Sequence, residues 1–333
     1  MADAIDFVVL WVDGADPQWQ EQRQQFCPRE SNNGDAGNRY RDWNLMRYWF
    51  RSVERFAPWV NRIWFVTNGQ VPAWLNRDHP KLTLVSHADY IPQEYLPTFN
   101  SNVIELWLHK IPGLSEHFVL FNDDMFLTAP VRPSDFFVNG VPVESALLDQ
   151  AAAASSDDCL PYMLLNNSAV INSHFRKREV LRRNFSKFFT LRYRADLMRN
   201  ILLAPFLYFS VFRDPHLPSA YCKQTFEKIW QAEAEQLQRC SGNRFRSKSD
   251  LTHWLMKTWQ ICEGNFVPRR TNWGRHFELW EDYIDRICAA LTGQKYRAVC
   301  LNDSKTDIDF DMMQSKLDAA FNRLHPSPST FER

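Results

Sequence analysis

Apolar positions along this chain fall into two kinds of run. From Ile5 to Val12 they are continuous and rich in β-branched residues, the pattern of a strand buried on both faces, and the run ends at Asp13-Gly14. Arg62–Thr67 ending in Asn68-Gly69, Leu82–Val85 followed by His87 and Asp89, and Phe118–Phe121 stopping at Asn122-Asp123-Asp124 repeat the pattern. Between them, Leu45, Met46, Trp49, Val53 and Phe56 recur at helical spacing, which predicts a helix capped by Asp42 and stopped by Pro58. Asn100–Ile111 has the same period and stops at Pro112-Gly113. Strands alternating with helices up to about residue 140 predict an α/β fold, a Rossmann-like, mostly parallel sheet with helices on both faces. In such a sheet ligands gather beyond the C-terminal strand ends, where Asp13, Asn68 and the Asp123-Asp124 pair fall.

From about residue 150 onward the period is mainly helical, without internal repeats. This predicts an α/β core over 1–150, a mainly helical part over 151–324 that completes the site, and a frayed tail over 325–333. Cys27–Asn38, rich in Gly, Asn, Ser and Asp, reads as a mobile loop.

Composition narrows the class of partner. With 45% apolar and 14% aromatic residues among 333, the chain can bury one large core or two smaller ones. Lys plus Arg and Asp plus Glu both number 39, so no net field favours nucleic acid. Seven cysteines with no CxxC pair fit a reducing, cytoplasmic setting better than a disulfide framework. The N-terminus has no basic stretch and enters a strand at once, which predicts neither signal peptide nor anchor. The apolar run Ile201–Phe212 contains Pro205 and falls short of the roughly 20 residues that span a bilayer. Upstream of it, Arg176–Arg199 carries nine Lys or Arg against two acids. That stretch reads either as a solvated helix or, with the run that follows, as a peripheral membrane contact over 176–212 on the inner face of the cytoplasmic membrane.

Candidate chemistry sits at the polar ends of the runs. Asp123-Asp124 after a buried strand suits a hard divalent cation against a diphosphate, although an acidic turn has the same pattern. Asp13-Gly14 and Asn68-Gly69-Gln70 are either plain turns or backbone cradles for a phosphate or ribose. Arg39, Arg41 and Arg47 either clamp phosphates or are solvated. His216 lies in the proline-bracketed Asp214-Pro215-His216-Leu217-Pro218, a rigid frame for proton transfer or a structural histidine. Arg244-Phe245-Arg246 would place two guanidinium groups on one strand face. Asn302-Asp303, after apolar Ala298–Leu301, either completes a metal or acceptor shell or forms a turn.

In order along the chain, four blocks resemble the Stealth family of polysaccharide phosphotransferases. They are Ile5–Gly14; the long stretch from Arg39-Tyr40-Arg41-Asp42 through Ala57–Asn76, Leu96–Glu105 and Phe121–Leu127 to Asp135-Phe136-Phe137; Asp214-Pro215-His216 with Arg244-Phe245-Arg246; and Val299–Asp303. The resemblance is greatest to bacterial members. Trp43-Asn44 and Asn102-Val103 depart from the usual pattern, the second at a position the resemblance gives to the sugar.

The resemblance implies a core akin to the glycosyltransferase-A fold and transfer of a hexose-1-phosphate, N-acetylhexosamine-1-phosphate above all, from a UDP-sugar donor to a glycan acceptor, with Mg2+ or Mn2+. It implies metal contacts from Asp123, Asp124, Asn302 and Asp303, and catalytic roles for His216 as base, Arg246 and Arg244 as charge balancers, Asp124 and Asp13. Gly14, Arg41, Arg47, Asn68, Gly69 and Gln70 would hold the donor, and Asn100, Ser101 and Glu105 would face sugar or acceptor. A glycosyltransferase releasing UDP and a non-catalytic binder of anionic glycans or membranes are the rival readings.

Overall fold

The computed structural model describes residues 4–27, 40–305 and 307–333. The loop expected after Cys27 and the candidate Arg39 lie outside them. Four parallel strands, β1 (Ile5–Leu10), β2 (Ile63–Thr67), β3 (Leu82–Ser86) and β4 (His117–Phe121), appear where the continuous apolar runs place them. They form a central sheet in the order β4-β1-β2-β3, with Val9 opposite both Phe65 and Phe121. The sheet is α/β and mostly parallel, with helices on both faces, as the alternation requires.

Because successive strand residues point to opposite faces, β1 supplies two cores. Phe7 and Val9 enter one apolar cluster and Val8 the other. The first is covered by helix α2 (Met46–Phe56), which follows α1 (Pro17–Phe26) and buries Tyr48, Trp49, Phe50 and Val53. A fully buried side chain of this size stabilises by about 1.5–3 kcal/mol, so α2 is held mainly by this face. It is not capped by Asp42. The helix begins after Leu45 without a side-chain cap, because the Asp42 carboxylate accepts the N–H of Asn44 at 2.6 Å instead. The predicted helix over 100–111 is shorter, α3 (Ser101–Leu106) capped by Asn100, with a separate 3-10 turn over Leu108–Lys110.

The remaining elements do not segregate into a helical lobe. After β5 (Met125–Leu127) come the short strands β6 (Phe137–Val138), β7 (Val141–Glu144) and β8 (Leu148–Asp149). Helices α4 (Leu160–His174), α5 (Lys177–Arg183), α6 (Phe185–Phe188) and α7 (Leu197–Leu203) precede β9 (Val211–Phe212) and β10 (Ser219–Cys222). Then follow α8 (Lys223–Ala232), α9 (Ala234–Ser241), α10 (Trp254–Glu263), β11 (Val267–Pro268), β12 (Gly274–Glu278), α11 (Ile284–Thr292), β13 (Ala298–Asn302) and α12 (Phe310–Leu324).

Two of these strands tie the halves together. β10 joins the central sheet antiparallel to β4, while β13 pairs antiparallel with β5 and parallel with β12 in a second sheet. Residues beyond 150 therefore complete sheets begun before it, because the edges of β4 and β5 carry unpaired backbone groups until those strands arrive.

The tail over 325–333 is ordered rather than frayed. Arg51 binds the Glu332 carboxylate through two nitrogens at 2.7 Å each, Phe331 is buried against Phe50, and the Asn76 N–H donates to the Phe331 carbonyl at 2.8 Å. A bidentate ion pair with an aromatic anchor outweighs the local Pro and Ser content from which fraying was predicted.

Candidate active site

All the parallel strands end on one side, and there the chain encloses a cavity of about 670 Å3. Trp11 and Val12 follow β1, Asn68 follows β2, His87 follows β3, and Asn122, Asp123 and Asp124 follow β4. His276 and Glu278 of β12, with Asn302 and Asp303 at the end of β13, close the opposite wall. The second sheet thus delivers its own strand ends to the same space. Its register is fixed partly at the site itself, where the Leu301 N–H donates to the Asp124 carbonyl at 2.8 Å.

Asp124 is the hub. Its Oδ2 lies 3.6 Å from His216 Nε2 and accepts from the Cys300 thiol at 3.1 Å. Burial alone would raise this carboxyl, but hydrogen bonding and charge from His216, with the Cys300 contact, hold it below its ordinary value. The imidazole of His216 moves the opposite way. Burial disfavours its charge, yet Asp124, Asp214 and Glu105 outweigh that and raise it. Asp123 reaches the water of the open cavity but sits deep below the outer surface. That setting first, then the charges of Asp124 and Asp42, pushes its carboxyl up to about 7.

The backbone that presents His216 is strained. His216 has φ 48°, a left-handed conformation that costs a residue with a β-carbon about 1–3 kcal/mol. It is held there because the Asp214 Oδ1 accepts the His216 N–H at 2.6 Å, while Asp214 Oδ2 is gripped by the Lys257 ammonium. Lys257 also donates to Ser219 Oγ at 2.8 Å and lies 4.0 Å from buried Glu144. This buried polar frame sits under the cavity.

A second carboxylate lies deeper. Burial pushes Glu105 up to about 7, and its Oε2 is 3.6 Å from Nε2 of His253, whose Nδ1 meets the Tyr221 hydroxyl at 2.7 Å. Arg246 reaches over α3 to donate to Ser101 Oγ at 2.7 Å.

The structure brings ten of the sequence candidates to the cavity: Arg41, Asn68, Ser101, Glu105, Asp123, Asp124, His216, Arg246, Asn302 and Asp303. Within it, Asn302 and Asp303 have partners of their own. The Asn302 amide donates to Glu278 at 3.0 Å, and the Asp303 carboxylate accepts from Trp43 Nε1 at 3.0 Å with Arg41 at 3.6 Å.

The others stand behind the wall. Gln70 donates to the Asp13 carbonyl at 3.0 Å and to Asp16, and accepts the Asp13 N–H at 2.9 Å, so its side chain ties the two turns together. Gly69 has φ 104° and serves the turn that makes this possible. Gly14 packs under Tyr40, where a β-carbon would lie 2.0 Å from the Tyr40 carbonyl oxygen. Arg47 stacks on Trp74, and the Asn100 amide is fully buried, donating to Asp250 at 2.8 Å and to the Asn243 and Phe245 carbonyls. Arg244 donates to the Pro97 carbonyl at 2.6 Å and covers Phe26. It shares no strand face with Arg246, because residues 244–246 form a bend anchored by these contacts rather than a strand.

Residues missed by sequence reasoning include Cys300, His276 and Glu278. Glu278 Oε1 lies 3.1 Å from His276 Nε2, and that contact first holds its carboxyl at about 2. The signal of His276 and Glu278, ionisable residues at alternate positions of a five-residue strand, is too short to separate from a solvated edge, and Cys300 lies unmarked in an apolar run.

Among the described residues, Asp124, His216 and Cys300 form the group of side chains close enough to share one metal ion. Asp124 Oδ1 and Asn122 Oδ1 are buried with no hydrogen-bond partner among the described residues, which is the state of oxygens available to a cation. Burial and the charge of Asp124 raise the Cys300 thiol well above its usual range, so it stays a donor to Asp124. Oxygen donors beside a protonated thiol fit a hard cation such as Mg2+ or Mn2+.

Comparison with known proteins gives the family. Residues 39–143 match Stealth protein CR2, conserved region 2, and residues 3–27 match Stealth protein CR1, conserved region 1. The capsular polysaccharide phosphotransferase WcwK of Streptococcus pneumoniae is 41% identical over 334 residues, covering 99% of this chain and 98% of that one. The exopolysaccharide phosphotransferase cps2G of Lactiplantibacillus plantarum is 38% identical over 331 residues, with 99% and 96% covered. The receptor polysaccharide phosphotransferase WefC of Streptococcus gordonii is 39% identical over 339 residues, with 100% of each covered. Among solved structures, the galactosyltransferase LgtC in complex with donor and acceptor sugar analogs aligns at a TM-score of 0.41 and 10% identity, over 98% of this chain and 96% of that one. An α/β sheet with carboxylates and a histidine gathered at its strand ends, in a chain with these relatives, defines a transferase. This chain belongs to the Stealth family.

Proposed function

We propose that this enzyme transfers a hexose-1-phosphate, with N-acetylhexosamine-1-phosphate the first choice, from a UDP-sugar to a hydroxyl of a glycan acceptor during capsule or exopolysaccharide synthesis. The observation that carries the reading is the convergence of Asp124, His216 and Arg246 on one cavity, in a chain 41% identical to a capsular polysaccharide phosphotransferase. A divalent cation held by Asp124, with Asp123 and Asn122 beside it, would neutralise the diphosphate of the donor. The unbridged thiols of Cys159, Cys222, Cys240, Cys262 and Cys300, all buried, support a cytoplasmic setting.

In this reading His216 Nε2 takes the proton of the acceptor hydroxyl. The freed oxygen forms a bond to the β-phosphorus, the bond from that phosphorus to the bridging oxygen breaks, and the bridging oxygen leaves as part of UMP. Arg246 balances charge on the phosphoryl group in transit, and Ser101 holds its guanidinium in place. Glu105, whose carboxyl burial raises to about 7, can give a hydrogen bond to a sugar hydroxyl in its protonated form.

The test is to incubate the protein with UDP-N-acetylglucosamine, Mg2+ or Mn2+ and a mixed glycan acceptor pool and to identify the released nucleotide. UMP with a new phosphodiester supports the proposal. UDP with a new glycosidic bond replaces it with glycosyl transfer, and release of neither nucleotide from this or other UDP-sugars defeats it.

A further inference from the structure

Helix α7 carries apolar side chains on both of its sides. Inward, Leu197 and Leu203 pack against the core around fully buried Asn200, whose amide donates to the Ala146 and Phe188 carbonyls at 2.8 and 2.7 Å and accepts the Leu148 N–H at 2.7 Å. Its outward face, at the i, i+3, i+4 spacing of one helix side, is Met198, Ile201 and Leu202, the last 66% exposed. The chain then continues through exposed Phe206, Leu207 and Tyr208. A folding core explains none of these six side chains, because they point away from it. A contiguous apolar surface of this kind on a soluble domain marks a site of contact.

The surroundings identify the contact. Segment 176–199 carries nine Lys or Arg against two acids, while the whole chain has 39 of each sign. The two acids are already engaged: Glu179 with Arg176 and Arg183, Asp196 with Arg199 and Arg213. Arg178, Arg182 and Arg194 are exposed and have no acidic partner among the described residues. The two parts are one unit, since the Lys177 ammonium donates to the Leu203 and Tyr208 carbonyls at 2.6 and 3.2 Å and so ties the basic helix α5 to the apolar loop. No helix of the described residues is long and apolar enough to cross a membrane, so the apolar face is suited to lie on a surface rather than to span it.

We infer that the face formed by α7, the 206–208 loop and the exposed arginines of α5 and residues 191–194 docks on an anionic phospholipid bilayer, with the aliphatic side chains in the headgroup boundary and the arginines on lipid phosphates. Aliphatic and aromatic side chains ringed by guanidinium groups complement such a bilayer in both polarity and charge. The position serves the reaction. Tyr208 is eight residues from His216, so the Cα atoms of the two lie at most about 29 Å apart. This inference stands on the exposed face and not on the chemistry of the cavity, so a failed transfer assay leaves it untouched and a failed binding assay leaves the transfer reading untouched.

The experiment is flotation of the full chain with vesicles of phosphatidylcholine alone and of phosphatidylcholine mixed with phosphatidylglycerol, at low and at physiological salt. The wild type is expected to float with the anionic vesicles only, and less at higher salt. Arg182→Gln with Arg194→Gln should weaken that binding roughly 30-fold, and Leu202→Ser with Leu207→Ser should abolish it, with unchanged circular dichroism in both. Flotation on neither vesicle, or equal flotation on both, overturns the inference. So does sedimentation equilibrium that shows a dimer dissociated by the Leu202→Ser, Leu207→Ser pair while flotation persists, since the face would then belong to a second copy.

Discussion

The ammonium of Lys257 is paired with the carboxylate of Asp214 inside the protein, and the same carboxylate fixes the backbone of His216. Lys257 is also the nearest cation to Asp214 and lies within 4.0 Å of buried Glu144, which Arg269 approaches at 3.8 Å. Replacing Lys257 with Met leaves Asp214 as an uncompensated buried charge, an arrangement that costs about 3–5 kcal/mol. Urea denaturation of Lys257→Met should show a loss of that order, and turnover of the surviving folded fraction should fall with it, because the strained turn at His216 loses its anchor. A variant as stable and as active as the wild type would remove Asp214 and Lys257 from the account of the site.

His216 and Arg246 test the chemistry. Because His216 has φ 48°, Asn is the informative substitute: it tolerates the left-handed region and cannot act as a base. Turnover of His216→Asn, and of Arg246→Ala, should fall roughly 100-fold or more with the fold intact by circular dichroism. Activity near the wild-type level in either variant would strip that residue of its role.

Removing the cation should stop the reaction. Chelation is expected to abolish nucleotide release, with recovery on adding Mg2+ or Mn2+. Asp124→Asn should resist that rescue, whereas Cys300→Ser, whose hydroxyl can still donate to Asp124, should retain most of it. If Cys300→Ser instead shifts the preference among metals, the sulfur itself is a ligand.

His109 provides a pH test far from the cavity. It is buried beside the rings of Trp107, Phe226 and Trp230, and burial, with nearby Lys110, depresses it to about 3. The unfolded chain takes up a proton near pH 6.5, while the folded chain refuses it until about 3. Stability from this residue is therefore complete above 6.5 and is lost as pH falls, by about 3 kcal/mol between pH 6.5 and 4. In a series of urea titrations, His109→Phe should have a flatter acid limb than the wild type by about that amount. Parallel curves would show that His109 takes up its proton in the folded state.

The legible part of this protein is the part written in nearly unbroken apolar runs. Ile5–Leu10, Ile63–Thr67 and His117–Phe121 are buried on both faces and carry one polar residue each, Asp6, Thr67 and His117, too few to suggest a solvated face, and the carboxylates that end the last run do reach the cavity. Asp13 and Gln70 show the limit of the same logic. Each stands at the right strand end, but the Gln70 side chain bonds the Asp13 backbone, and of these two turns it is Asn68 that lines the cavity. Cys300, His276 and Glu278 are hidden from the sequence because β13 finds its partner β5 across 170-odd residues and β12 joins the sheet only through β13, pairings no local pattern announces. The order of the tail around Phe331 is illegible for a like reason: it comes from Arg51 and Phe50, not from the tail's own composition.

The pairing of β13 with β5 also sets a schedule. A ribosome releases Asp123 and Asp124 long before it reaches Cys300, Asn302 and Asp303, and until then β5 has an open edge and the cavity lacks a wall. The nascent chain can thus bury much of its first sheet while this wall is still missing, and the cavity is closed only once residues 298–303 are made and β13 docks on β5.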